Sequence, residues 1–237
     1  MNAARNRAKS QESLGHDAHQ QIRDLIVALK LSPGAPLSES ELTLRLGASR
    51  TPIRQALQQL EQEGFVVAHR RGAITRVSVA PMTVEDMREL HSIFGALQGL
   101  AARSATQLPD AARHDLAARL EGLNNDLRAA WQSRPHSQRE AQDLHVAFHR
   151  AIDEAVTGRR LSAELRAFQP QVERYERVYT SALLTDFSDA LKEHEDMIEA
   201  IRRGDADAAE RTTVENWRRG SERYERVVQD LGERGSW

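Results

Sequence analysis

Apolar residues recur at helical spacing several times before residue 65 and almost continuously after residue 82. Ile22, Leu25, Ile26 and Leu29 share one face of a helix predicted from about Ala18 to Leu31, which Ser32-Pro33-Gly34 breaks. Ser38 is placed to cap the next helix, with Glu41 three residues on completing a capping box, and Leu42, Leu44 and Leu46 precede a stop at Gly47. Ser49 is an N-cap candidate for a further helix that tolerates Pro52 in its first turn, with Ile53, Ala56, Leu57 and Leu60 turned inward. Glu63-Gly64 ends that helix. An alternating segment from Phe65 to Val79 then turns at Arg70-Arg71-Gly72, and Ala80-Pro81 leads away from it.

Beyond Met82 the period is helical throughout. Six helices are predicted: about Thr83 to Gln107, Pro109 to Gln132, Ser137 to Val156, Arg160 to Leu183 with a bend at Pro170, Phe187 to Arg203, and Asp205 to Leu231. Ser133-Arg134-Pro135-His136, Thr157-Gly158 and Gly204 separate them. The fold class that follows is mainly α: an N-terminal winged helix-turn-helix, then a C-terminal antiparallel all-α bundle of about six helices. The expected boundaries are a flexible basic arm over residues 1–15, the winged domain over 16–79, a linker over 80–84 and the bundle over 85–232. A bundle of this size can enclose a pocket.

Composition narrows the chemistry. The 237 residues include no cysteine, which excludes disulfides, thiolate metal sites and Cys nucleophiles. No run approaches the roughly 20 apolar residues of a membrane span, and the polar start, with Arg5, Arg7 and Lys9, lacks a signal-peptide core. A cytoplasmic protein without membrane contact is expected. The net charge of −2 is uneven: residues 1–78 hold 11 Lys and Arg against 7 Asp and Glu. That excess gathers at Arg45, Arg50, Arg54, Arg70, Arg71 and Arg76, at one end of the chain, as contact with a polyanion requires.

An arginine-rich helix start after a tight turn suits entry into the DNA major groove, N-terminus first. Arg50 and Arg54, one turn apart, can address guanine O6 and N7. Ser49 and Thr51 can reach phosphates, helped by the backbone N–H groups at the helix start. The Arg70-Arg71-Gly72 tip is placed for a minor groove. A solvated surface helix is the alternative for two arginines alone. The ordered sequence of cap, turn, arginines and basic wing favours DNA.

From about Asp17 to Val79 the chain resembles the winged-helix domain of GntR-family bacterial transcription regulators. The resemblance rests on Pro33-Gly34, Leu37-Ser38-Glu39, Leu46-Gly47, Ser49-Arg50-Thr51-Pro52-Ile53-Arg54, Ala56-Leu57, Leu60 and Glu63-Gly64. It implies DNA contacts from Ser49, Arg50, Arg54 and Gly72, with Ser40 in the preceding helix. It also implies a homodimer on a palindromic double-stranded operator.

His145 and His149 lie at i, i+4 on one predicted helix, and His194 lies on a later one. Imidazoles so spaced bind divalent metals, and the same spacing also serves a packed or solvated face. Residues 83–230 resemble the helical effector-binding domain of the FadR-like GntR regulators, through Phe148-His149-Arg150-Ala151-Ile152, Glu193-His194, Ile198, Ala200-Ile201 and Gly204-Asp205. That resemblance implies a divalent-metal site with an Asp or Asn before the first His and three histidines. Here His145 holds the acidic position and Asn216 the last histidine position. Two arrangements stay open: a three-His centre for zinc, manganese or nickel completed by Asn216 or by the effector, and a metal-free polar pocket. An Arg-x-x-Leu-Glu pattern that grips carboxylates in relatives is here Phe94-Gly95-Ala96-Leu97-Gln98, which makes Phe94 and Gln98 pocket wall.

The reading is therefore a regulator that answers a small-metabolite effector and is not an enzyme. The alternatives are a hydrolase using His145, His149 and His194 to activate water, for which no general base is evident, and a structural DNA-binding protein.

Overall fold

The computed structural model describes residues 2–72, 74–133, 138–155, 158–183 and 188–235. Among them the chain forms two compact units: Val84–Gly232, and the segment up to Thr83 together with the residues after Gly232. No described helix is long and apolar enough to cross a membrane.

The first unit holds α1 (Asn2–Val27), β1 (Pro36–Leu37), α2 (Glu39–Leu46), α3 (Arg50–Gln62), β2 (Val66–Arg71) and β3 (Ile74–Val79). α1 starts at Asn2 rather than near Ala18. The stretch expected as an arm is rich in Ala, Gln, Glu, Lys and Arg, all good helix formers with no apolar period to betray them. Ile22 and Ile26 of α1 meet Ile53, Ala56 and Leu60 of α3, closed over by Phe65 and Val79. Burial of such side chains contributes about 1.5–3 kcal/mol each. The strand order is β1-β3-β2, all antiparallel, with Arg71 opposite Ile74 at the wing tip. The two-residue β1 is too short to show a period of two, so pattern alone could not place it.

Two helix caps divide the roles expected of them. Ser38 Oγ accepts from the Glu41 N–H at 3.4 Å. Ser49 has extended N-cap backbone, but its hydroxyl makes no capping bond and stays exposed. Gly47 closes α2 in the left-handed conformation, φ +65°, where a side chain would be strained. After the last helix the chain returns to this unit: Met82 and Arg234 exchange backbone hydrogen bonds at 2.8 and 3.1 Å.

The second unit contains α4 (Val84–Ala105), α5 (Asp110–Gln132), α6 (Gln138–Glu154), α7 (Arg159–Leu183), α8 (Ser188–Arg203) and α9 (Ala206–Leu231). The expected break at 134–136, and the ends placed at Ser137, Val156, Thr157 and Phe187, lie outside the described residues. α7 passes through Pro170 without interruption. α4 and α9 run antiparallel: Arg88 pairs with Glu225 at one end, and Arg103 with Asp207 and Glu210 at the other. Between these pairs the helices nearly touch. A Cβ on Gly95 would lie 2.6 Å from Trp217 Cβ, and one on Gly99 would lie 2.7 Å from Val214 Cγ2.

Gly95→Ala is therefore expected to destabilise the protein by about 1–3 kcal/mol through overpacking. Gly122→Ala, in open space on α5, is expected to stabilise by about 0.5–1 kcal/mol. Urea midpoints of the two variants should move in opposite directions.

Candidate functional site

The first unit presents one polar face. Buried Pro52, Ile53, Ala56, Leu57 and Leu60 fasten α3 to the core. Arg50, Thr51 and Arg54 consequently turn outward. Ser40, Ser49, Arg50, Thr51, Arg54, Arg71 and Gly72 are all exposed. Gly72 adopts φ +60° at the turn of the wing, and beyond its chain neighbours no atom of the described residues lies within 4 Å of a Cβ built there. Backbone conformation, not crowding, favours glycine at that point.

Two arginines of this face are already paired. Arg54 Nε donates to both oxygens of Glu39, on α2, at 2.8 and 2.9 Å. Arg70 donates to Glu61 at 3.0 Å. The Glu39 partnership bridges two helices, so no local spacing announced it. Leu44 on α2 (87% exposed) and Ile74 beside the wing tip (61%) are the most exposed large apolar side chains among the described residues. Apolar contact of this kind suits thymine methyl groups.

In the second unit three histidines converge. One ring nitrogen each from His145, His149 and His194 lies within 4.8 Å of the other two. α6 brings His145 and His149 on one face, and α8 brings His194 opposite, with ring centroids 5.3–5.4 Å away. Burial holds all three neutral. His145 is pushed down to about 4, with Arg223 adding to the effect, and His149 and His194 lie well below the usual imidazole value.

Each of two rings has one nitrogen committed. His149 Nδ1 donates to Gln98 Oε1 at 2.8 Å, and His194 Nδ1 donates to Asn124 Oδ1 at 3.0 Å. His194 Nε2 is buried without a hydrogen-bond partner among the described residues. Three neutral nitrogen donors, one of them an orphan lone pair, fit a borderline divalent cation such as zinc or nickel better than the harder manganese. The partners on Nδ1 supply the outer hydrogen bonds that metal-bound histidines almost always have.

The centre opens on a cleft of about 510 Å³, including space open to solvent, walled by His91, Glu176, Asn216, Trp217, Arg223 and Tyr224 among others. Asn216 stands on the wall with its Nδ2 donating to Glu193 at 2.8 Å. Arg223 grips the same carboxylate with both terminal nitrogens at 2.9 Å. Glu176 lies 4.0 Å from His145 Nδ1, and burial pushes its carboxyl up to about 8. His91, edge-on to Tyr175, Trp217 and Tyr224, has neither ring nitrogen hydrogen-bonded among the described residues. Burial pushes it down to about 4.

Phe94 packs against Trp217 with ring centroids 5.0 Å apart and lines a neighbouring hollow, not the histidine cleft. Gln98 lines the same hollow, but its polar atoms are spent within the protein. Oε1 accepts from His149 and, at 2.5 Å, from Trp217 Nε1, while Nε2 donates to the His149 carbonyl and to Asp153. Sequence reasoning missed Asn124, Glu176, His91 and Arg223. Asn124 carried a signal, since it interrupts the buried stripe Leu116, Ala117, Leu120 and Leu127. Glu176 and Arg223 sit among many charges and carried none.

The chain matches two family descriptions: "Bacterial regulatory proteins, gntR family" over residues 14–75 and "FCD domain" over residues 89–219. An uncharacterised HTH-type transcriptional regulator of Mycobacterium tuberculosis is 30% identical over 190 residues, covering 79% of this chain and 71% of its own. A probable D-xylose utilization operon transcriptional repressor of Paenarthrobacter nicotinovorans is 27% identical, covering 80% and 81%. Among solved structures, McbR/YncC of Escherichia coli aligns with a TM-score of 0.65 at 17% identity, over 92% of this chain and 99% of that one. A putative GntR regulator from Rhodococcus aligns with a TM-score of 0.64 at 19% identity, over 90% and 97%. These last two show the shared fold. With both halves matched in order, and a regulator as close as the mycobacterial one, this chain belongs to the GntR family of transcriptional regulators that carry an FCD domain, and not to a family of enzymes.

Proposed function

We propose that this regulator binds a palindromic DNA operator as a homodimer and releases it in answer to a small metabolite held in the FCD cleft beside a divalent metal. His145, His149 and His194 would hold the metal, and its chemistry there is that of a Lewis acid for effector oxygen atoms. The observation that carries the reading is the buried, unpartnered His194 Nε2 beside two other neutral imidazoles on the wall of a cleft. His91 and Tyr224 are the effector contacts on the opposite wall. Asn216 completes the cleft as a polar wall residue. Repression is supported by the repressor named in Paenarthrobacter.

α3 and the wing supply the DNA contacts: Arg50 and Arg54 to guanine, Ser40, Ser49 and Thr51 to phosphates, and Arg71 with Gly72 in the minor groove. The subunit contact is proposed on α4. There Ile93 and Leu100, 39% and 46% exposed, lie two turns apart on one face, next to the exposed Val214 of α9. Effector binding would change operator affinity by a coupling of about 1–3 kcal/mol.

Three measurements test this. Fluorescence anisotropy with the DNA flanking its own gene should show salt-dependent, specific binding, with Arg50→Ala and Arg54→Ala each costing about 1–3 kcal/mol; wild-type affinity in both would reject the recognition helix. Protein purified without affinity resin should carry close to one metal per protomer. A content below about 0.2, with no thermal shift from zinc, manganese or nickel, rejects the metal, since a bound ion stabilises the folded state by mass action. Leu100→Glu should sediment as a folded monomer; an unchanged dimer would place the interface elsewhere.

A further inference from the structure

We propose that Gln98 and Asn124 are positioning residues that lock His149 and His194 in the Nδ1–H tautomer, so that the buried centre presents bare Nε2 lone pairs. The proposal rests on the histidine centre described above. It also decides what that centre can accept: an electron-pair acceptor such as a divalent cation, and not an effector anion hydrogen-bonded directly by these two rings.

The argument uses groups whose roles allow no choice. An indole N–H only donates, so the Gln98 atom that Trp217 Nε1 meets at 2.5 Å must be the amide oxygen. The other end agrees: Gln98 Nε2 lies 3.3 Å from the His149 carbonyl, which only accepts. With its oxygen so identified, Gln98 can only accept from His149 Nδ1 at 2.8 Å, and that nitrogen must carry the proton. In the neutral ring the lone pair is then on Nε2.

His194 follows independently on another helix. Asn124 Nδ2 donates to the Leu191 carbonyl at 3.1 Å, which assigns the Asn124 oxygen and hence the proton on His194 Nδ1 at 3.0 Å. A proton on His194 Nε2 instead would be a buried donor with no acceptor among the described residues. His145 stands outside the argument, because its Nδ1 is 4.0 Å from Glu176, beyond hydrogen-bond range.

The anchors lie outside the centre. Trp217 holds Gln98 from α9, the chain of α8 holds Asn124 through Leu191, and Asp153 takes the remaining Gln98 proton at 3.1 Å. Flipping Gln98 would set its amide N–H against the Trp217 indole N–H, donor to donor, and flipping Asn124 would set its oxygen against the Leu191 carbonyl, acceptor to acceptor. The tautomers are thus a property of the packed bundle and exist before any ligand arrives.

The test starts from full-length protein stripped with a chelator and labelled with 15N-histidine. Long-range proton–nitrogen spectra should show protonated Nδ1 and bare Nε2 for His149 and His194, assigned by replacing each in turn. A protonated Nε2, or averaging between tautomers, on either ring overturns the proposal. Zinc affinity by competition with a chromophoric chelator is the second readout. Gln98→Leu and Asn124→Leu should each bind zinc about 10–100-fold more weakly. Gln98→Glu and Asn124→Asp, each as the neutral acid whose O–H replaces the amide donor toward the His149 or Leu191 carbonyl, keep an accepting oxygen and should retain the tautomer and recover most of the affinity. If the acidic and leucine variants are equally weak, the two amides merely support the fold and the proposal fails. A wild-type protein that binds no zinc would reject the metal reading, while the spectra still decide the tautomers.

Discussion

The close approach of α4 to α9 constrains everything around the histidine centre. Because Gly95 has no side chain, Trp217 Cβ can sit 2.6 Å from where an alanine methyl would be. The indole then reaches across to Gln98 on the same helix as Gly95, one turn further on. Gln98 gathers Trp217, the His149 ring, the His149 backbone and Asp153 into one hydrogen-bonded group. Buried polar groups of this kind are costly when half satisfied and rigid when fully satisfied. A glycine, a weak point of a helix by propensity alone, is therefore what allows the histidine centre to be built.

Burial does the electrostatic work in this unit. It keeps His91, His145, His149 and His194 neutral and holds Glu176 and Asp153 toward their protonated forms. The charges that do occur near the cleft are matched, Arg223 against Glu193 above all. A cation entering among neutral donors therefore meets little competition from fixed positive charge or bound protons. The first unit follows the opposite logic. Its arginines are exposed, and the pairs they make with Glu39 and Glu61 are solvent-screened surface ion pairs that add little to stability. Contact with phosphates can displace such pairs, while the one on Arg54 holds that side chain near the start of α3.

The helices were legible because amphipathic periodicity and caps are local. Every bundle helix appears where its apolar stripe and its Gly, Pro or Asp boundary put it, within a few residues. α3 was legible for the same reason: the residues that bury it and the residues that leave it exposed alternate over a single short segment. What escaped were features without a local pattern. α1 extends to Asn2 through good helix formers, β1 has two residues, and Ser49 occupies a cap position without using its hydroxyl as a cap.

The amino-acid sequence alone determined a basic winged helix-turn-helix, a helical bundle and three histidines on two helices, because spacing along a helix dictates which side chains share a face. Whether those faces meet is a matter of packing between helices far apart in the chain. Tertiary structure brought His194 to His145 and His149. It aimed Asn216 at Glu193 and turned Gln98 from a cleft residue into the support of an imidazole. The physical reason is that the orientation of a buried amide or imidazole is set by the obligate donors and acceptors packed around it. Here those neighbours come from α4, α5, α8 and α9 and are assembled only when the bundle closes.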